Sequence, residues 1–169
     1  MNNLSWRNIL LTLMILVAQV IILNRLNISQ ALLPMVYPLV ILSLQRNINK
    51  SLLLVLAFVL GLLMDIFSNT GGAHAVACTV LAFLRPLFLA SLGPTDMGSE
   101  GIKPSILNLG LKNYTTYSIF LLAIHHIVFF ILESFSFSNS FWLILRLIVS
   151  FAVSWTLVMI YQFTFESKK

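Results

Sequence analysis

Residues 61–75 read GLLMDIFSNTGGAHA and describe an apolar helix, a short turn that contains glycine, and the start of a second apolar helix. Apolar residues extend from this turn back to residue 51 and forward to residue 92. Each arm is close to the roughly 20 residues that a helix needs to cross a hydrocarbon core about 30 Å thick. The stretch therefore predicts two membrane-spanning helices that reverse direction near Asn69–Gly71.

Four more apolar segments of similar length flank this pair. The predicted spans lie at roughly 6–24, 29–45, 51–68, 72–92, 114–135 and 140–163. The second segment is short, and its Pro34 and Pro38 remove backbone donors and kink or break a helix. A broken helix here would need neighbouring groups to satisfy its freed carbonyls. We predict an all-α, polytopic transmembrane bundle of six helices, the second of them kinked or broken, that forms one integral membrane domain over residues 1–169.

The composition supports a membrane protein and excludes several other classes. Hydrophobic residues make up 59% of the 169 positions and charged residues 9%, whereas soluble domains average roughly 45–50% and about 25%. A soluble globular domain, a disordered chain and a DNA-binding module are therefore excluded, and we expect no nucleic-acid partner. The single cysteine excludes a disulfide framework.

The basic residues predict which side of the membrane each loop occupies. Ten Lys and Arg against five Asp and Glu give a net charge of +5. For six spans, one side carries Arg7, Arg46, Lys50, Lys103, Lys112, Lys168 and Lys169, and the other carries Arg25 alone. The positive-inside rule then places loops 45–50 and 93–113 and the C-terminal tail in the cytoplasm, for five or for six spans. Six spans place both termini there.

Loop 93–113 is the longest connection between predicted spans. Its Ile102, Ile106 and Leu109 follow helical spacing, with Lys103 and Lys112 nearby. This pattern fits either a short interfacial helix or an ordered linker on the headgroups.

Ionisable side chains inside the predicted spans are the candidate functional residues, because such a group in hydrocarbon is costly and must face protein or water. Glu133 and Arg146 lie equally far from the turn near Asn139, so we expect an ion pair between them. Asp65 and His74 are likewise symmetric about their own turn. We expect these four side chains to form one polar layer on the outward side of the bundle.

In three of the predicted spans, several polar residues lie on the same face of the helix. The shared faces are His74, Cys78 and Arg85 in the fourth span, His126 and Glu133 in the fifth, and Arg146, Ser150 and Ser154 in the sixth. The adjacent His125 and His126 point about 100° apart on a helix, which disfavours joint ligation of one metal. Membrane ion pairs often fix which helices are neighbours, so structural pairing is favoured over a ligand site, and catalysis is the least favoured role.

Sequence motifs of known catalytic chemistry are absent. HExxH, GxSxG and P-loop patterns do not occur. Asp65 has no second aspartate in another span with which to form a carboxylate dyad. We therefore predict no enzyme activity, no cofactor and no metal.

The motif within residues 60–86 resembles the MreD family of bacterial rod shape-determining membrane proteins. The similarity lies in Gly61-Leu62-Leu63-Met64-Asp65, in the glycine turn that follows, and in Ala82-Phe83-Leu84-Arg85-Pro86. The resemblance implies a scaffold in the bacterial inner membrane, together with MreC, the filament MreB and the elongation glycosyltransferase–transpeptidase pair. It implies a role in lateral peptidoglycan synthesis and rod cell shape.

The resemblance also implies a fold and a set of important positions. MreD-like proteins are similar to the six-helix substrate-binding subunits of energy-coupling-factor vitamin transporters. The alternative function is therefore such a binding subunit, with the outward polar layer lining its pocket. The motif positions Gly61, Asp65, Gly72, His74 and Arg85 are expected to serve folding and partner contact.

Two of these roles also have a physical basis in the residues themselves. Gly61 and Gly72 would let helices approach each other closely in lipid. Asp65 would accept hydrogen bonds from the amides that open the next helix, near its positive dipole end.

Overall fold

The computed structural model describes Met14, Gln19 and residues 33–92, 102–134 and 140–166. Within these ranges the chain is helical and contains no strand. The helices are α1 (Pro38–Leu42), α2 (Lys50–Ser68), α3 (Ala73–Ser91), α4 (Ile106–Leu109), α5 (Leu111–Ser134) and α6 (Ser140–Tyr161), and a π-helical turn follows at Gln162–Glu166. Four of these helices are long and apolar enough to cross a membrane. They are α2, α3, α5, and α6 taken together with the π-helical turn that follows it. The arrangement is consistent with a multi-pass membrane protein.

The turn between α2 and α3 is the reversal that the sequence predicts. Asn69, Gly71 and Gly72 all have left-handed backbone conformations, with φ of 55°, 60° and 101°. A Cβ atom disfavours this region, so glycine occupies two of the three positions. The two helices can therefore turn back on each other within a few residues.

The spanning helices pack in chain order, α2 against α3, α3 against α5 and α5 against α6. Their facing sides form one apolar core that includes Leu53 and Leu121. Their opposite sides expose large apolar residues such as Leu62, Phe83 and Ile148. This distribution is expected of helices whose outer faces contact lipid.

The second predicted span is not a continuous helix in its described part. Residues 33–36 have no regular secondary structure, and the helical part is the five-residue α1. Pro34 and Pro38 explain the break, because a proline has no N–H to donate within a helix. The first predicted span, apart from Met14 and Gln19, and residues 29–32 lie outside the described residues. The six-helix count stays a prediction.

The other four predicted spans coincide with helices to within three residues at each end, and these helices are long and apolar enough to cross a membrane. Pro86 does not end its helix, since α3 continues through it to Ser91. Residues 93–101 of the long loop lie outside the described part, and the remainder holds the one-turn helix α4 and the first three residues of α5. Leu109 of α4 is buried, and the Ile106 N–H lies 3.4 Å from Gln162 Oε1. The described part of the loop therefore packs on the bundle.

Candidate functional site

Asp65 joins the end of α2 to the start of α3. Its Oδ1 accepts hydrogen bonds from the Thr70 hydroxyl at 2.6 Å and the His74 N–H at 3.0 Å, and its Oδ2 accepts from the Ala75 N–H at 2.9 Å. The carboxylate is buried, and it lies at the N-terminal end of α3, where the helix dipole favours negative charge. The hydrogen bonds that the sequence predicts are present, and they use both carboxylate oxygens.

Gly61 lies at the contact between α2 and α3, as expected. A Cβ atom added there would lie 2.5 Å from both the Ala75 Cα and the His74 carbonyl oxygen. The expectation for Gly72 is wrong, because a Cβ atom there would meet nothing within 4 Å. Gly72 instead supplies a left-handed turn residue, which the sequence pattern does not distinguish from a close helix contact.

Tyr37 connects α3 and α5 through two histidines. Its hydroxyl lies 2.6 Å from His74 Nδ1 and 2.8 Å from His125 Nε2. A hydroxyl carries one hydrogen, so one imidazole accepts it and the other donates its own. Cys78 Sγ lies 3.9 Å from the same His125 nitrogen. Sequence reasoning missed Tyr37, although a tyrosine within an apolar span needs a partner for its hydroxyl.

His126 belongs to a second hydrogen-bonded group, shared with α6. Its Nε2 lies 3.1 Å from Ser154 Oγ, and its Nδ1 lies 2.8 Å from the Leu122 carbonyl oxygen. Ser154 Oγ also accepts from the Met35 N–H at 2.8 Å and donates to the Ser150 carbonyl at 2.6 Å. The two adjacent histidines therefore contact different elements, in agreement with their angular separation on the helix.

Arg85 is a buried cation at the opposite end of α3 from the glycine turn. Its guanidinium donates to the Leu44 carbonyl and, from Nε, to the Tyr117 hydroxyl at 3.0 Å. Tyr117 in turn donates to the Leu42 carbonyl at 3.0 Å. Longer contacts of 3.5 Å reach the Gln45 carbonyl. Arg85 thus satisfies carbonyls at and beyond the end of α1, which the proline-broken segment leaves without helical partners.

Glu133 and Arg146 form the expected ion pair between α5 and α6. Arg146 Nη2 lies 3.1 Å from Glu133 Oε1, and each side chain is about a quarter exposed, at 26% and 25%. The guanidinium also lies over the Phe130 ring, 5.3 Å from its centroid. The pair neutralises both charges at the contact between α5 and α6.

The structure joins the four residues of the expected polar layer as two separate pairs, Asp65 with the His74 N–H and Glu133 with Arg146. The His74 ring stacks on Phe129, with ring centroids 4.3 Å apart, and Phe129 lies one helical turn, about 6 Å, before Glu133. Among the described residues, no hydrogen bond joins Asp65 or His74 to Glu133 or Arg146.

Removing one partner of the Glu133–Arg146 pair is expected to lower stability. Glu133→Ala and Arg146→Ala each leave a single charge near lipid, so each should reduce the free energy of unfolding by about 1–3 kcal/mol. The charge swap Glu133→Arg/Arg146→Glu should recover most of this loss, and the double alanine variant should lose less than the sum of the single variants. Unfolding in mixed micelles measures these values. Two single variants as stable as the wild type would contradict a stabilising pair.

Within the described ranges, no group of three His, Cys, Asp or Glu side chains is placed to hold a metal ion. The chain matches no protein-family model, and no curated protein or solved structure matches it significantly. Function is therefore inferred from the residues and their geometry.

Proposed function

We propose that this chain is a membrane scaffold of the bacterial cell-elongation complex, similar to MreD and located in the inner membrane. The proposal rests on one observation, which is that the polar groups of the motif form hydrogen bonds within the bundle. Asp65 binds the start of α3, His74 binds Tyr37, and Arg85 binds the segment after α1. The motif thus serves to build a fixed bundle, which agrees with folding and partner contact rather than chemistry.

The lipid-facing sides of the bundle support the same proposal. Helices α2 and α3 expose apolar side chains such as Val55 and Phe83, and α5 and α6 do the same with Ile131 and Ile148. Partner transmembrane helices associate through such surfaces by close packing. The expected partners are MreC, through its single span, and on the cytoplasmic side MreB, with the glycosyltransferase–transpeptidase pair in the same complex. The fold would then have six helices and both termini in the cytoplasm.

A vitamin-binding subunit is supported less well. A binding pocket needs polar groups that remain unengaged until the ligand arrives. Asp65 already accepts three hydrogen bonds, and Glu133 and Arg146 bind each other. The His74 ring is bonded to the Tyr37 hydroxyl. The residues expected to line such a pocket are therefore already engaged within the bundle.

The decisive experiment combines cell shape with partner capture. Depletion of this protein in its host should convert rods to spheres, and the tagged protein in nanodiscs should retain MreC through purification. An unrelated polytopic protein of similar size, tagged in the same way, is the control. Rods that persist after depletion, together with a purified protein that does not retain MreC, would overturn the scaffold proposal. Saturable quenching of tryptophan fluorescence by one member of a vitamin panel would favour the binding subunit instead.

A further inference from the structure

Residues 33–37, here named the strap, are held in the bundle by side chains. The Leu33 N–H donates to Ser150 Oγ at 3.0 Å, and the Met35 N–H donates to Ser154 Oγ at 2.8 Å. Gln19 donates to the Pro34 carbonyl at 2.7 Å and accepts from the N–H of residue 36 at 2.8 Å. These bonds can break without the unwinding of any helix.

The strap covers a group of buried polar side chains, of which His125 and Cys78 have no role in the proposed function. Through Tyr37 it contacts His74 and His125, with ring centroids 5.4 Å apart in both cases. Cys78 lies beside them, and all four side chains are buried. The covered group, His74, Cys78 and His125, thus lies under a segment that side chains hold at residues 33–36 and that is joined to the first turn of α1 through the carbonyls of Val36 and Tyr37.

The closed arrangement leaves two imidazole nitrogens poorly satisfied. His125 Nδ1 is buried and has no hydrogen-bond partner. In a neutral ring, His126 carries its hydrogen on Nδ1, which faces the Leu122 carbonyl. Its Nε2 then competes with the Ser150 carbonyl for the one hydrogen of Ser154. Water that reached either nitrogen would supply the missing hydrogen-bond partner, which lowers the free energy of an open strap relative to the closed one.

We propose that the strap is a lid that opens as one unit and exposes His74, Cys78 and His125 to water or another small hydrogen-bond donor. The unit includes Leu33, at one end, and Tyr37, which makes the contact with the covered group. Loosening the strap at Ser150, which binds only its far end, must then expose Cys78. A local movement of the Tyr37 ring would instead be insensitive to Ser150.

The only cysteine of the chain, Cys78, reports this opening directly. The rate of its alkylation by N-ethylmaleimide is measured on the full chain in nanodiscs. Ser150→Ala, Ser154→Ala and Tyr37→Phe are each expected to raise the rate about tenfold, which corresponds to about 1.4 kcal/mol. Thr156→Ala is the matched control, because this exposed residue of α6 bonds only to its own helix, and it should leave the rate unchanged.

General loosening of the bundle is tested with a second buried thiol. Ala57 of α2 is fully buried, so Ala57→Cys in a Cys78→Ala background should stay protected when Ser150→Ala is added. Rates are compared among variants with wild-type helix content by circular dichroism, and Ser150→Ala alone suffices if Ser154→Ala does not fold. Faster alkylation in Tyr37→Phe but not in Ser150→Ala would overturn the lid, as would equal acceleration at position 57.

Discussion

Replacing Gly61 with alanine is expected to lower the free energy of unfolding by about 3 kcal/mol or more. The added Cβ would lie 2.5 Å from the backbone of α3, at the Ala75 Cα and the His74 carbonyl oxygen. Backbone atoms within a helix cannot move aside as a flexible side chain can, so α2 and α3 must separate by about 1 Å to restore ordinary van der Waals contact. The separation also reaches Asp65, which lies one turn further along α2.

The loss at Asp65 makes this small substitution severe. Its hydrogen bonds to the amides of His74 and Ala75 are 3.0 and 2.9 Å long. A separation of about 1 Å takes both beyond hydrogen-bond range and leaves two amides unpaired and the buried carboxylate with only the Thr70 hydroxyl as a partner. The steric clash and the unpaired polar groups therefore both lower the free energy of unfolding, and both arise at the same contact.

Unfolding of Gly61→Ala and Gly61→Val in mixed micelles tests this expectation. The valine variant should be less stable than the alanine variant, because it adds two further methyl groups to the same contact. Leu63→Ala is the control, since Leu63 belongs to the same helix but is 43% exposed. A Gly61→Ala protein with wild-type stability would contradict a backbone contact at this position.

Local spacing made part of this structure predictable. The glycine turn, the Asp65 hydrogen bonds and the Glu133–Arg146 pair all join residues that lie close in sequence or symmetrically about one turn. Helical periodicity and the length of a membrane span fix such relations without knowledge of the fold. The role of Gly72 was not separable in this way, because a turn glycine and a packing glycine look alike in sequence.

Contacts between distant segments were not predictable from spacing. Ser154 binds the N–H of Met35, 119 positions away, and Tyr37 binds His125, 88 positions away. These contacts exist because the proline-broken segment must find hydrogen-bond partners inside the membrane. The sequence shows that partners are needed, but helix packing decides which side chains supply them. The proposed strap depends on these long-range contacts.

The second large effect is expected at Arg85, where Arg85→Met should lower the free energy of unfolding by about 3–5 kcal/mol. Replacing a buried ion by an apolar side chain removes its desolvation penalty, and this gain opposes the loss. Here the loss is larger, because the carbonyls of Leu44 and Gln45 remain in place without a donor. The Tyr117 hydroxyl also loses the Nε–H that it accepts.

Two further variants separate charge from hydrogen-bond geometry at this position. Arg85→Lys keeps the positive charge but lacks the planar fork that reaches both a carbonyl and Tyr117, so its stability should be intermediate. Tyr117→Phe removes one hydroxyl and should have a smaller effect, about 1–2 kcal/mol. Because Arg85 and Tyr117 share one network, the double variant Arg85→Met/Tyr117→Phe should lose less than the sum of the two. If Arg85→Met were as stable as the wild type, the end of α1 would hold its place without the guanidinium, and the carbonyls would have other partners.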